Sequence, residues 1–264
     1  MKAGQEGKVI LLFQPAEETG TGADAMIRDK RLAEQPIDNV FAYHNLPGFP
    51  LHEIIIKDNT FACASVGALV SLKGKTSHAA RPENGISPTN AMVELIGFLQ
   101  SLADHYQDAF CLVTIVHASL GEEAFGIAPG EAKVMATMRS ECNHAFSDMK
   151  RQLASKVEQL AAQHGLEMEM TWDEPFNAAV NSSSHVELVK QVAKQNQLNV
   201  HQLEEPMRWS EDFAEFLTQW NGALFCIGSG EAHPELHNPD YDFPDEILET
   251  AGAMFIGLAK ALHG

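Results

Sequence analysis

Basic residues are scarce: 18 Lys and Arg stand against 36 Asp and Glu in 264 residues, a formal net charge of −18. Nucleic acid and anionic membranes are bound through basic patches, so neither is an expected partner. Cysteine is scarce too. Cys63, Cys111, Cys142 and Cys226 are scattered with no close-spaced pair, which argues against a disulfide framework or a zinc knuckle. That usage fits a reducing, intracellular compartment. No stretch is long enough to span a bilayer, and residues 1–13 lack the apolar length of a signal peptide, so a cytoplasmic location is expected. Repeats, linkers and low-complexity segments are missing. So is a nucleophile elbow, because Gly228-Ser229-Gly230 lacks the spacing. No cysteine stands in an electropositive setting either, which sets aside a serine or cysteine hydrolase.

What is present is an ordinary apolar content of 45%, in a chain long enough for one large domain or two smaller ones. Val9-Ile10-Leu11-Leu12-Phe13 is a continuous apolar run and predicts a strand buried on both faces of a parallel sheet, stopped by Pro15. Glu17 and Glu18 follow, at the carboxyl edge where open α/β sheets hold ligands. On an extended segment neighbours point different ways, so one carboxylate can ligate a metal while the other handles a proton. A solvated acidic loop is the plain alternative.

A short helix is expected over 23–31 and a second strand over 39–43, ending at His44. Strand, helix and strand with short loops make a βαβ unit with parallel strands, which would bring Glu18 and His44 to the same edge. From Phe61 the pattern changes. Strands are expected over 61–73, 110–118, 133–140 and 166–172, with helices from Pro88 to about Asp104 and over 143–164. That order, strand–helix–strand–strand–helix–strand, is ferredoxin-like and reads as a domain inserted into the first. Ser184 is read as the cap of a helix to about Gln197, and Ser210-Glu211-Asp212-Phe213 as the start of another. A strand over 223–228 and a closing helix from Pro244 complete the chain. Ile247, Leu248, Ala251, Met254, Phe255, Leu258 and Leu262 form that helix's apolar stripe.

Glu18, His44 and His237 each sit in a loop at a strand end. Carboxylate plus imidazole suits zinc first, and manganese or cobalt after it. Two histidines and a glutamate leave a position for water, and Glu17 would then take that water's proton. Twelve histidines also supply accidental trios, so spacing alone leaves both readings open.

Five motifs occur in one order: Gln14-Pro15-Ala16-Glu17-Glu18, Tyr43-His44-Asn45-Leu46-Pro47, residues 74–82 around Ser77-His78, Ser210-Glu211-Asp212-Phe213 and His237-Asn238-Pro239-Asp240-Tyr241-Asp242-Phe243. In this the chain resembles the M20 metallopeptidases. The resemblance is to their amidohydrolase branch, the N-acyl-amino-acid, hippurate and indole-acetyl-amino-acid hydrolases. It implies a zinc-peptidase-like α/β catalytic domain, here residues 1–60 and 174–264. Residues 61–173 would be an inserted ferredoxin-like α+β lid, through which two copies dimerise. By the resemblance Glu17 is the general base, and Glu18, His44 and His237 ligate a divalent metal, Zn or Mn, two per site in the family. His78 on the lid would stabilise the oxyanion, often from the partner subunit, and Arg139 would hold a substrate carboxylate. The substrate implied is a small N-acyl amino acid or a similar amide.

The chain departs from the family pattern twice. A His-x-Cys-Gly-His-Asp segment normally precedes the paired glutamates and supplies two further ligands; this sequence begins just ahead of the glutamates. The catalytic domain is therefore expected to be incomplete at its N-terminus, as a fragment of a longer enzyme or a truncation with weak or no activity. In Ala124-Phe125-Gly126-Ile127-Ala128-Pro129 the family's asparagine before the proline is replaced, which alters substrate recognition. Two functions follow: a metal-dependent amidohydrolase, or a non-catalytic member of the fold acting in binding or dimerisation.

Overall fold

The computed structural model describes residues 7–263, a mixed α/β chain that divides into two compact units. The first holds residues up to 62, 179–207 and those from 211 onward. It starts with a 3-10 turn at Glu17–Thr19, then α1 (Gly22–Arg28), α2 (Lys30–Ala33), β1 (Asn39–Leu46), β2 (Ile54–Ile56) and β3 (Asn59–Ala62). The second unit comprises residues 63–178 with 208–210. It contains β4 (Ala64–Lys73), β5 (Ser77–His78), α3 (Thr89–Leu102), β6 (Cys111–Leu120), β7 (Ile127–Ala128), β8 (Glu131–Ser140) and α4 (Asn143–His164), and β9 (Glu167–Phe176) closes it. The chain then returns to the first unit with β10 (Ala179–Asn181), α5 (Ser183–Gln195), β11 (Val200–Gln202), α6 (Ala214–Gln219), β12 (Asn221–Gly228) and α7 (Ile247–His263).

In the first unit the sheet order is β1-β12-β2-β11, with β1 parallel to β12 and His44 opposite Cys226. Ala223, Phe225 and Ile227 of β12 share a core with Val186, Val189 and Val192 of α5 and Ile247, Met254 and Leu258 of α7. By strand alternation Leu224 and Cys226 face the other way, and they are buried too. Burial on both faces is why this strand is apolar without interruption. Gly222 lets β1 approach: a Cβ there would stand 2.0 Å from the Val40 carbonyl oxygen. The stripe of α7 is narrower than its sequence, since Leu248 and Leu262 are exposed.

The run Val9–Phe13 departs from expectation: it forms no strand, and Phe13 is 88% exposed. A strand needs a neighbour to take its backbone donors and acceptors, and among the described residues none pairs with this run. The parallel partner of β1 is therefore β12 and not residues 9–13, so the expected βαβ unit does not form. The expected helix over 23–31 is two, because Asp29 is extended (ψ 124°) and its carboxylate caps α2 by accepting from Arg31 N. Ser182, not Ser184, stands at the start of α5. The strand expected over 61–73 is broken at Cys63 into β3 and β4, which lie in different sheets.

In the second unit the sheet order is β6-β8-β4-β9, all antiparallel, with β5 and β7 as a separate pair. α4 buries Phe146, Met149, Leu153, Val157 and Leu160, a three- and four-residue spacing that places one helix face on the core. No helix among the described residues is long and apolar enough to cross a membrane.

Candidate active site

Glu17 and Glu18 stand on the 3-10 turn, not on an extended segment. Ala16 before it and Gly20 after it are both left-handed, at φ 55° and 64°, which wraps the chain tightly around the pair. Successive residues of a 3-10 helix diverge by about a third of a turn, so the two carboxylates still part company. Glu17 is half-buried and Glu18 exposed.

Glu17 meets two acids to which the sequence pattern assigns no chemical role, Glu211 and Asp212. The Asp212 backbone N–H donates to Glu17 Oε1 at 3.4 Å. Burial, followed by the charge of Glu17, pushes the Glu211 carboxyl up to about 8. At neutral pH Glu211 is thus mostly protonated and donates to Glu17, because a buried carboxyl beside another carboxylate does not ionise cheaply. Burial also raises the Asp212 carboxyl, with the amide of Ala23 opposing the shift. In sequence the motif 210–213 reads as a helix start and as one of the five ordered motifs, without a chemical role; the signal for more is two adjacent acids followed by Phe213, which is buried.

His44 lies near the end of β1, with Nδ1 2.7 Å from the Asn45 carbonyl oxygen. Nδ1–H donates there, so in the neutral ring the lone pair sits on Nε2, the arrangement that orients a metal-ligating histidine. The next residue ties the strand end to the 237–243 loop: Asn45 Nδ2 donates to the Tyr241 hydroxyl. Burial holds that phenol above its ordinary value. His237 is exposed and left-handed at φ 64°. His52 and His233 serve the fold, bonded to Thr250 Oγ1 and the Asp242 carbonyl oxygen.

Two candidates belong to the second unit. His78 on β5 pairs with Ile127 of β7 and accepts from Ala80 N at its Nδ1, 3.0 Å away. Its neutral ring then carries the proton on Nε2, a donor suited to an oxyanion. Arg139 donates through Nη1 to the Arg208 carbonyl oxygen at 2.9 Å and to Ser210 Oγ at 3.3 Å, so part of its guanidinium anchors the 208–210 segment.

The structure brings Glu17, Glu211 and Asp212 together. It does not gather a metal cage: among the described residues no three His, Cys, Asp or Glu side chains are placed to hold an ion. Glu18, His44 and His237 fit a divalent cation in kind, by their carboxylate and imidazole donors and by the His44 tautomer. They do not fit as a closed three-ligand set.

The sequence model of Peptidase family M20/M25/M40 matches residues 1–261. The chain belongs to this family. An N-acetyl-L-cysteine deacetylase of Bacillus subtilis (strain 168) is 28% identical over 261 residues, covering 97% of this chain and 61% of the relative. A hippurate hydrolase of Campylobacter jejuni is 27% identical over 256 residues, 96% of this chain and 67% of that protein. The chain thus spans about two thirds of the length of the relatives it matches. A crystal structure of the Bacillus subtilis YXEP protein, described as a dinuclear metal-binding peptidase of family M20, superposes with a TM-score of 0.76 at 23% identity, over 95% of this chain and 64% of that one. The aminobenzoyl-glutamate utilization protein of Klebsiella pneumoniae gives 0.72 at 19% identity, over 94% and 60%. These structures share the mixed α/β fold.

Proposed function

We propose that this chain carries the hydrolytic residues of an amidohydrolase that cleaves small N-acyl amino acids or similar amides. The observation that carries the reading is the setting of Glu17: a half-buried carboxylate on a tight turn, its Oε1 taking the Asp212 backbone N–H at 3.4 Å, beside the buried Glu211. Glu17 is the general base, taking the proton of an attacking water and passing it to the leaving nitrogen. The backbone N–H of Asp212, with the neighbouring Glu211 carboxyl, holds that carboxylate in place. His78 supplies an Nε2 donor for the oxyanion, and Arg139 a cation for the substrate carboxylate. Glu18, His44 and His237 would supply donors for zinc or manganese, whose contribution would be to polarise an amide carbonyl and acidify a water. Relatives named for N-acetylcysteine deacetylation and hippurate hydrolysis support a small N-acyl amide as substrate.

Residues 61–173 act as a lid in this reading, and two copies pair through it. β6 is an outer strand of its sheet with Val116 exposed, an edge open to a second strand. Light scattering on the purified chain should give twice the chain mass. A second reading, a non-catalytic binding or dimerisation module, is favoured by one observation, the absence of a three-donor cluster among the described residues.

Metal stoichiometry separates the two. After equilibration with zinc and removal of the excess, the first reading expects bound ion in the wild type and loss in His44→Ala and in Glu18→Gln. A wild type that retains no ion supports the module and sinks the enzyme.

A further inference from the structure

We propose that Asp212 is a positioning residue, a clasp that closes residues 14–23 into the turn presenting Glu17 and Glu18. The inference rests on the reading of those two glutamates as base and ligand. Asp212 is 1% exposed and comes from a distant part of the sequence. Its Oδ2 accepts from Gln14 Nε2 on one side of the turn and from Ala23 N, at 2.8 Å, on the other. Its own N–H reaches Glu17 Oε1 between them. One buried side chain and its amide therefore touch the segment at both ends and in the middle.

The segment needs that support. Its internal ties are short-range: Gly20 N to the Glu17 carbonyl oxygen at 2.9 Å, Thr19 Oγ1 to the Ala16 carbonyl oxygen at 3.1 Å, and the Thr19–Thr21 hydroxyl pair. Ala16 is left-handed at φ 55°, a conformation unfavourable for a residue with a Cβ. The chain doubles back so closely that a Cβ on Gly22 would stand 1.8 Å from the Pro15 carbonyl oxygen. A turn this tight, carrying two like charges, is held shut from outside, and Asp212 is placed to do it.

The geometry separates the acceptor from the charge. Both bonds fall on Oδ2, while Oδ1 is buried with no hydrogen-bond partner among the described residues. An asparagine keeps the accepting oxygen and sets its amide nitrogen where the unpartnered oxygen lies. An alanine removes the clasp.

The test uses the full chain as wild type, Asp212→Ala and Asp212→Asn, with two readouts: amide exchange by NMR and zinc affinity by titration. Losing hydrogen bonds to a buried carboxylate should speed exchange at Ala23 and Gly20 in Asp212→Ala by about 10-fold or more and weaken zinc by about 10-fold. Amides of β12 should stay protected, and Asp212→Asn, which keeps the accepting oxygen but buries an unpaired amide N–H, should fall between wild type and Asp212→Ala in both quantities. If Asp212→Ala does not fold, Gln14→Ala, which removes one of the two ties, should show the same changes at about threefold. Unchanged exchange overturns the clasp. Faster exchange with unchanged zinc affinity overturns positioning and leaves only a helix-start contact. An asparagine variant as impaired as alanine overturns the hydrogen-bond basis. A wild type that takes up no zinc overturns the reading of Glu18 as a ligand, and with it any site for the clasp to serve.

Discussion

Replacing Asn181 should strongly destabilise the first unit. Asn181 is 3% exposed, and its side chain makes three bonds to backbone. Nδ2 donates to the carbonyl oxygens of Leu224, at 2.8 Å, and Lys57, at 3.0 Å, while Oδ1 accepts from Leu224 N at 2.7 Å. It therefore satisfies both polar groups of Leu224 in β12 and fastens that strand to β10 and to the segment before β3. Asn181→Ala strands one donor and two acceptors in the interior. At about 1–3 kcal/mol for each unpaired buried group, less what an entering water recovers, the loss should be about 3–5 kcal/mol. For a unit of this size that lowers the unfolding midpoint by about 10 °C. Asn181→Asp should do at least as much harm at pH 7, because a carboxylate oxygen would then face two carbonyl oxygens. Thermal unfolding followed by far-UV circular dichroism measures both. A loss under about 1 kcal/mol for the alanine, or an aspartate variant milder than the alanine, would refute the reasoning.

Glu211→Gln tests the protonated carboxyl beside Glu17. Because the folded-state value, about 8, lies above the ordinary 4.5, the neutral acid's stabilising contribution is complete below about pH 4.5 and is lost as pH rises to 8. Urea denaturation should therefore show the wild type losing stability across that window, with Glu211→Gln flatter and the more stable of the two at pH 8; parallel curves would count against the assignment. Glu17→Gln should lower any amide hydrolysis by about 10²–10⁴-fold while leaving zinc uptake intact, measured by turnover and by metal content on the same sample. Gly222→Ala should destabilise by about 1–3 kcal/mol in the same melts, since the added methyl collides with the Val40 carbonyl in the pairing of β1 with β12.

Where one element determines its own burial, its pattern is readable in the sequence. α4 repeats its apolar residues at helical spacing and runs over the expected residues, and β12 is continuously apolar because it is buried on both faces. Val9–Phe13 has the same apolar character as β12 but pairs with no strand among the described residues, and composition does not report pairing. Ile54–Ile56, Ala179–Asn181 and Val200–Gln202 are invisible as strands because three residues carry too little periodicity. The break at Cys63 is hidden for another reason: residues on both sides of it suit a strand, and only the change of sheet separates them.

The candidate site divides in the same way. Glu17 and Glu18 stand out as paired acids after an apolar run, although that run forms no strand, and His44 stands out near the end of a strand that does form. Glu211 and Asp212 do not, since their partner lies about 195 positions away and a buried acid looks like a solvated one in sequence. His237 is legible as a residue type, but its exposed, left-handed loop position is not.

The proposed activity is hydrolysis of a small N-acyl amide through Glu17, with Glu18, His44 and His237 as donors for a divalent ion. The most direct measurement is release of acetate from N-acetylcysteine by the chain equilibrated with zinc or manganese, with Glu17→Gln and a chelated sample alongside. Turnover in the wild type, its loss with Glu17→Gln and its loss on chelation are the expected results. Turnover that survives Glu17→Gln, or a wild type with neither turnover nor bound ion, would contradict the proposal.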